Sequence, residues 1–437
     1  MTWEHHVLRR WALLALVLAA LSPRAARAQW SEAPVLIALP SGDDRWGFSA
    51  GMFRFSPRLA AEFRWDSNVF REDQSEHPKS APILAFAPAL TMVNPKPGLF
   101  RLYLDLKGDF RIYFGEDPAG MDQSNAGGTA TFDLDFWPNG PFTLRVFDRF
   151  SRALLTRNDA TSGTFTRNFN LAGIRGVFRP GGGALEFGLE YAYGFDFFDE
   201  LGEADKRFHD LGFRASWKFY PLTRVFVDVD FKIIGYDEPW LSVPTRTPNV
   251  DSMPLRATAG IDGYITKRLS ILAQAGWAQG FYADGPELGG PIGLARVSYR
   301  VAKGTLLQLG YERAYQDSLH GNWSAEHRIF FAGQQQLWNR LDINATASYS
   351  FIDFSRFEYD DAVGLEVSDP ERSEQMLRVA ASARFDIARW LAVEAGYSYE
   401  ALFSDFSLLT TAEEPPRVVQ VFSYYRHQVY ASVIGRY

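Results

Sequence analysis

The most constraining feature of this chain is a two-residue rhythm. Phe100, Leu102, Leu104, Leu106, Gly108, Phe110, Ile112 and Phe114 fall in one phase, and Arg101, Tyr103, Asp105, Lys107, Asp109, Arg111 and Tyr113 fall in the other. A helix would scatter these side chains around its axis, whereas a strand sends successive side chains to opposite faces. The run is long for a globular strand, which usually holds about 5–6 residues. It is long enough to cross a bilayer, for which a tilted strand needs about 9–11 residues.

The rhythm recurs down the chain. Leu185, Phe187, Leu189, Tyr191, Tyr193, Phe195 and Phe197 alternate with Glu186, Gly188, Glu190, Ala192, Gly194 and Asp196. Val225, Val227, Val229, Phe231 and Ile233 face away from Asp228, Asp230 and Lys232. Such runs fall at about 53–65, 83–93, 99–114, 125–137, 142–152, 164–178, 184–198, 208–220, 224–236, 254–265, 269–282, 291–301, 305–315, 325–335, 341–354, 375–386, 391–403 and 419–437. The run at 83–93 holds Pro88 and alternates poorly, and 164–178 is mixed, so the count is eighteen within a range of sixteen to twenty. The runs share a rhythm but no fixed sequence period, which argues against a solenoid or propeller. The pattern predicts an all-β fold, a transmembrane antiparallel up-and-down β-barrel.

The connections alternate in length. Short ones carry turn residues, as in Pro138-Asn139-Gly140-Pro141 and Arg179-Pro180-Gly181-Gly182-Gly183. Longer polar loops lie between them, such as 66–80, 237–253, 355–373 and 404–417. Outer-membrane barrels have this asymmetry, with short periplasmic turns and long outer loops. The turns hold Lys96, Arg179, Lys267, Arg268, Lys303, Arg340 and Arg389, whereas the loop at 355–373 is rich in acids. Those acids are expected to keep the loops solvated.

Composition sharpens the reading. The chain has 437 residues, 46% hydrophobic, 15% aromatic and 22% charged, with no cysteine. The longest apolar run, Trp11 to Leu21, is too short for a spanning helix, which needs about 20 apolar residues. Zero cysteine excludes disulfides, zinc–thiolate sites, iron–sulfur clusters and a Cys-linked lipid anchor. Arg9 and Arg10, the apolar run and the small-residue site Ala26-Arg27-Ala28 have the layout of a secretory leader cut between Ala28 and Gln29. The expected organisation is a leader at 1–28, a periplasmic segment at 29–52 and a barrel at 53–437. The formal charge of −7 and the lack of a basic run make nucleic acid a poor partner.

If the apolar phase faces lipid, the polar phase lines the interior. The expected lumen-lining residues are Arg101, Asp105, Lys107, Asp109 and Arg111, then Asp133 and Asp135 followed by Arg145 and Arg149. Glu186 and Glu190 precede Arg214 and Lys218, then Asp228 and Asp230. Arg296 and Arg300 precede Glu312, and Arg378 and Arg384 precede Glu394 and Glu400. Neighbouring strands lie about 4.8 Å apart, so columns of opposite sign can pair laterally. Mixed signs argue against strong anion or cation selectivity. Barrels of about 16–18 strands leave an aqueous channel.

Val429, Ala431, Val433, Gly435 and Tyr437 alternate with Tyr430, Ser432, Ile434 and Arg436. This run resembles the terminal strand read by the outer-membrane assembly machinery, with Tyr where Phe is usual. Trp137, Trp217, Trp338 and Trp390 fall near inferred turns, where an interfacial aromatic girdle belongs.

After the first strand the chain reads Asp66-Ser67-Asn68-Val69-Phe70-Arg71. This stretch resembles the second putative β-barrel porin family of Gram-negative outer membranes, whose members are often linked to exopolysaccharide export. The resemblance defines no catalytic residue, and Asp66 and Asn68 are expected to make an Asx-turn. It implies a porin of the cell outer membrane that passes polar solutes and supports export of an extracellular or capsular polysaccharide. The partners implied are outer-membrane lipid and lipopolysaccharide, the barrel assembly machinery and periplasmic polysaccharide-export proteins. The alternatives are a general diffusion porin, or a plugged surface barrel acting in adhesion or envelope assembly.

Catalytic signals are weak. His77, His209, His320, His327 and His427 show no H-x-x-x-H spacing, no G-x-S-x-G elbow occurs, and Gly181–Gly183 reads as a turn. Ser318, His320 and Ser324 share a polar loop and read as solvated. No enzyme activity, cofactor or metal is expected.

Overall fold

The computed structural model describes residues 47–73, 77–114, 125–156, 164–199, 202–238, 240–241, 247–318, 322–355, 365–367, 372–410, 417–421 and 423–437. The expected leader with its Ala28–Gln29 cleavage site, the segment at 29–46, His320 and most of the acidic loop at 355–373 lie outside the described residues.

Eighteen strands form one closed antiparallel sheet. They are β1 (Phe53–Asp66), β2 (Ala81–Val93), β3 (Phe100–Tyr113), β4 (Asn125–Phe136), β5 (Phe142–Thr156), β6 (Thr164–Phe178), β7 (Leu185–Phe198), β8 (Lys206–Tyr220) and β9 (Thr223–Tyr236). The second half comprises β10 (Ser252–Tyr264), β11 (Leu269–Tyr282), β12 (Leu288–Ala302), β13 (Thr305–Asp317), β14 (Trp323–Leu337), β15 (Leu341–Phe354), β16 (Ser373–Ala388), β17 (Leu391–Ser404) and β18 (Tyr424–Arg436). Each pairs with its sequence neighbours, and β18 returns to β1 in a register running from Arg58↔Arg436 to Asp66↔Gln428. Closure removes the unpaired edges that an open sheet would present to lipid.

The pleat sorts the sequence. In β1, Ala60, Glu62, Arg64 and Asp66 are buried while Leu59, Phe63 and Trp65 are exposed. The exposed phase continues around the sheet through Phe110, Leu189, Val227, Leu309, Phe385 and Val433. An apolar belt of this extent is stable against hydrocarbon rather than water. The buried phase faces the bore, as contacts that skip strands require. Arg58 on β1 reaches Asp105 on β3 at 3.6 Å, and Lys206 on β8 reaches Asp317 on β13 at 3.9 Å.

Strands are joined at one end by tight turns. Trp137, Trp338 and Asn339 adopt positive φ there, as do the three glycines of Arg179-Pro180-Gly181-Gly182-Gly183. Trp137, Trp338 and Trp390 are exposed at these turns, and Trp217 is exposed near the same end of β8.

The structure departs from the sequence-based expectation at three places. The alternation puts the start of the final strand near 419, but β18 starts at Tyr424, and Arg417–Val421 joins Leu365–Val367 and Ser407–Thr410 in a separate three-stranded sheet. Ser423 forms the break: it donates from Oγ to the Ser404 carbonyl at 2.9 Å and accepts the Ser404 N–H at 3.0 Å. Long loops with β-forming residues thus satisfy their backbone by pairing with each other. The expected periplasmic segment is also partly sheet, since Phe48–Ala50 pairs with Phe53–Phe55. Finally, the outer ends of several strands extend beyond their expected bounds, as in β12, which begins at Leu288.

Candidate functional site

The candidate site is the inner wall of the barrel. Its lateral charge pairing begins on β3–β5. Arg101 Nε and Arg145 Nε both donate to Asp135, at 2.9 and 2.6 Å, and Arg149 Nη2 donates to Asp133 at 2.6 Å. Asp105 bridges Lys107 at 2.6 Å and Arg58, while Arg111 pairs with Asp109 at 2.6 Å on the same strand. Arg214 pairs with Asp228 at 3.1 Å, Asp230 lies opposite Arg256, and Arg378 pairs with Glu400 at 3.1 Å. Lys218 lies opposite Arg224, whose own partner is Asp262 at 2.9 Å.

Other columns pair differently from the expected order, because the register offsets them. Glu190 lies opposite Gly212, so its partner is Arg175 at 3.8 Å on the preceding strand. Glu186 meets Arg179 at 2.9 Å, in the turn. Glu312 pairs with Arg328, because Arg296 lies opposite Leu272 and Gly310, and Arg300 lies opposite Leu306. Arg384 lies opposite Glu394 but pairs with Asp386 at 3.3 Å, while Glu394 accepts from Tyr430 Oη at 2.9 Å.

Aromatic rings on this wall lie flat. Gly194, Gly260, Gly310 and Gly396 sit beside Phe208, Phe226, Phe330 and Tyr430 on neighbouring strands. A Cβ at Gly194, Gly310 or Gly396 would fall 2.3, 2.2 or 2.4 Å from the adjacent ring, so each ring occupies the space that a side chain would fill. The same rings carry cations. Lys232 lies over Phe208 at 5.4 Å, Arg214 over Phe226 at 4.5 Å, Arg328 over Phe330 at 5.7 Å and Arg64 over Tyr430 at 5.7 Å. Such cation–π contacts hold both partners against the wall. From β11 to β15 the wall is poorer in charge, with Gln274, Ser298, Gln308, Gln334, Asn344, Thr346 and Ser348 in the inner phase. Apolar packing joins this stretch to β9, among Phe226, Leu272 and Leu294.

Two segments narrow the outer mouth. The first is Ser67–Glu72. Asp66 accepts the Asn68 N–H at 3.1 Å, which is an Asx-turn, and its carboxylate also accepts from Arg426 Nη2 at 2.6 Å and Gln428 Nε2 at 2.8 Å. Asn68 Nδ2 donates to the Tyr425 carbonyl at 3.1 Å, and Arg71 Nε donates to Glu400 at 2.8 Å. The segment therefore clasps the β1–β18 seam while lying inside the rim. The second is the outer end of β13, which pairs with β12 only as far as Arg313. Beyond that point it turns inward: Tyr315 packs on Ala278 and Leu288, and its carbonyl accepts from Arg256.

Sequence reasoning missed part of this wall. Glu62, Arg64, Arg167, Asp196, Lys206 and Arg426 are buried in the inner phase of their strands. Their signal was the same alternation, clean in β1, where Leu59, Ala61, Phe63 and Trp65 hold the other phase, and blurred in β6 by polar residues in both phases. Three histidines stand apart from the wall altogether. His209, His327 and His427 lie in the outward phase, each with Nδ1 against a tyrosine hydroxyl, of Tyr191, Tyr311 and Tyr397, at 2.9, 2.7 and 2.8 Å. Each pair joins two adjacent strands near their outer ends.

A closed antiparallel barrel with an apolar outer belt and a charged, laterally paired inner wall is a porin-type outer-membrane channel barrel. The chain belongs to the family described as Putative beta-barrel porin 2, whose family model matches residues 200–433. That match covers β8 through most of β18, and the Asp66–Arg71 stretch lies outside it. No curated protein matches the chain. Among solved structures, the chain is similar to the outer membrane protein OpdK of Pseudomonas aeruginosa, at 11% identity and a TM-score of 0.47, covering 88% of this chain and 99% of that one. It is similar to OccK2 (OpdF) of the same organism at 10% identity and a TM-score of 0.48, covering 87% and 98%. OccAB4 of Acinetobacter baumannii is similar at 10% identity and a TM-score of 0.44, covering 88% and 98%.

Proposed function

We propose that this porin passes polar solutes across the outer membrane and serves as the exit conduit for an extracellular or capsular polysaccharide. The observation that carries the reading is the flattened inner wall. Charges are paired sideways, and the rings of Phe208, Phe330 and Tyr430 lie over glycines with a cation within about 6 Å of each. Below the inward segments at the mouth, side chains held along the wall leave room for water and solute. Alternating signs solvate a polymer without a deep trap, and the hydroxyl and amide groups of β11–β15 offer exchangeable hydrogen bonds to sugar hydroxyls. The inner-phase residues, from Arg101 and Asp105 through Glu394 and Glu400, are the proposed lining.

In this reading the chain is exported by a cleaved leader and inserted by the barrel assembly machinery among lipopolysaccharide. Periplasmic polysaccharide-export proteins deliver the cargo. A second reading, a general diffusion porin, is favoured by the inward position of Ser67–Glu72 and Tyr315, which narrow the mouth toward small solutes. The test is a deletion strain assayed for surface and secreted glycan. Loss of glycan with periplasmic accumulation is expected. Unchanged glycan output, together with slower uptake of small polar solutes, would leave the diffusion reading standing and remove the export one.

A further inference from the structure

One polar feature lies on the wrong side of the wall. The outward phase of β5 reads Phe142, Leu144, Val146, Asp148, Phe150 and Arg152. Asp148 lies opposite Phe132 and Ala172, both in the outward phase, while its neighbours Phe147 and Arg149 face inward. Counting from the turn before Phe142, it stands six residues up a fifteen-residue strand, near mid-belt. Its carboxyl accepts from Asn170 Nδ2 at 3.1 and 3.2 Å, and Asn170 is also in the outward phase. Among the described residues, other outward charges such as Arg207, Arg313 and Asp353 lie close to the outer strand ends.

The polarity continues upward from this pair. Arg152 donates to Asn168 at 2.7 Å and pairs with Asp199 at 2.7 Å, and Asn168 donates to Asp199 at 2.6 Å. A polar stripe thus runs from mid-belt to the outer rim along β5 and β6. Its flank on the β4 side is low, with Gly128 and Ala130 opposite Arg152 and Phe150. Hydrocarbon supplies no hydrogen bonds, so a carboxyl and a carboxamide in the belt are favourable only where another polar surface meets them. The stripe carries donors (Arg152, Asn168, Asn170) and acceptors (Asp148, Asp199) together. Turned by a two-fold axis, it is complementary to itself, as an isologous contact requires.

We infer that the β5–β6 face is the contact surface for a second copy of this chain, with Asp148 and Asn170 near the two-fold axis. The inference rests on the membrane-embedded barrel proposed above. Asp148 keeps lone pairs beyond those it gives Asn170, and Asn170 keeps its amide oxygen for the copy across the axis. Two barrels joined there would each keep their own bore, giving paired channels.

The cysteine-free chain makes the test direct. Two single variants are placed in outer membranes: Ala172→Cys, beside Asp148, and Ala347→Cys, in the outward phase of β15 across the ring. Each is treated with a flexible bifunctional maleimide and, separately, with a lipid-soluble maleimide. The expected result is a species of doubled mass from the Ala172→Cys variant alone. The Ala347→Cys thiol should be labelled from the lipid, and the Ala172→Cys thiol should be protected. Equal lipid labelling of both variants without a doubled band would overturn the dimer while upholding the membrane reading. An adduct of the Ala172→Cys variant to a different protein would also overturn it. If neither variant is labelled from lipid, the barrel reading itself fails.

Discussion

Replacing Asp66 with Ala should loosen the barrel at its closing seam. Asp66 is fully buried and accepts from four donor groups: Arg426 Nε at 3.1 Å, Arg426 Nη2 at 2.6 Å, Gln428 Nε2 at 2.8 Å and the Asn68 N–H at 3.1 Å. Three of these come from the last strand, so they engage only when β1 and β18 have met. Removing one partner of a buried ion pair costs about 3–5 kcal/mol, because the remaining charge stays buried. Glu400 lies opposite Arg426 on β17 and supplies it with a second negative neighbour, which places the expected loss near the lower end, about 3 kcal/mol. The assay is denaturant unfolding in lipid vesicles, following the band shift between folded and unfolded barrel on unheated gels. Asp66→Ala and Arg426→Ala should each destabilise, and the double variant should fall well short of their sum. A coupling of about 2 kcal/mol or more is expected, against the roughly 0.5 kcal/mol within which independent sites add. Additive losses would refute the view that this pair closes the seam.

Four further outcomes are expected. Leu106→Arg, on the exposed apolar phase of β3, should lower barrel stability by about 2–4 kcal/mol in vesicles, while Asp109→Ala, at a half-exposed inner-phase charge, leaves the belt intact and changes conductance; equal folding losses would reverse the facing. Gly310→Leu should push the Phe330 ring off the wall and reduce single-channel conductance, since the added Cβ would fall 2.2 Å from that ring; an unchanged conductance would show that the ring is not held by the glycine. Asp317→Ala should free the inward end of β13 from Lys206 and raise conductance, measured on the same bilayers. Asp205, just before β8, is held above the usual carboxylate range by burial and by Asp237, Asp196 and Asp199. A raised acid pKa means the folded state loses stability as pH climbs from the ordinary carboxylate value through the raised one. Asp205→Asn should therefore be the more stable form at neutral pH, with the advantage fading under acid; a pH-independent difference would contradict this.

Much of this barrel is written in one rule. Alternation alone places Phe110 outside and Asp109 inside, because a strand's period is two and one phase must meet hydrocarbon. The rule is weakest where both phases are polar. Arg152, Asn168 and Asn170 blur β5 and β6, and they belong to the stripe that faces away from the bore. Register was not legible, because it depends on how hairpins seat against each other. That is why Glu190 meets Arg175 rather than Arg214. The inward turn of β13 after Arg313 was also hidden: its cause is a three-dimensional fit of Tyr315 beside Gly290, where a Cβ would lie 2.1 Å from the hydroxyl. The Asp66–Arg71 stretch showed its turn in sequence, but its partners on β17 and β18 lie more than 300 residues away in the chain.

The central claim is a water-filled passage with a laterally neutralised wall, and conductance across a planar bilayer measures it most directly. Purified barrel should give discrete openings. Under a salt gradient the reversal potential should stay near zero, because Asp135, Asp133, Asp228 and Glu400 each neutralise an adjacent arginine. A silent bilayer would contradict the open passage, and a reversal potential near the limit for a single ion would contradict the neutralised wall.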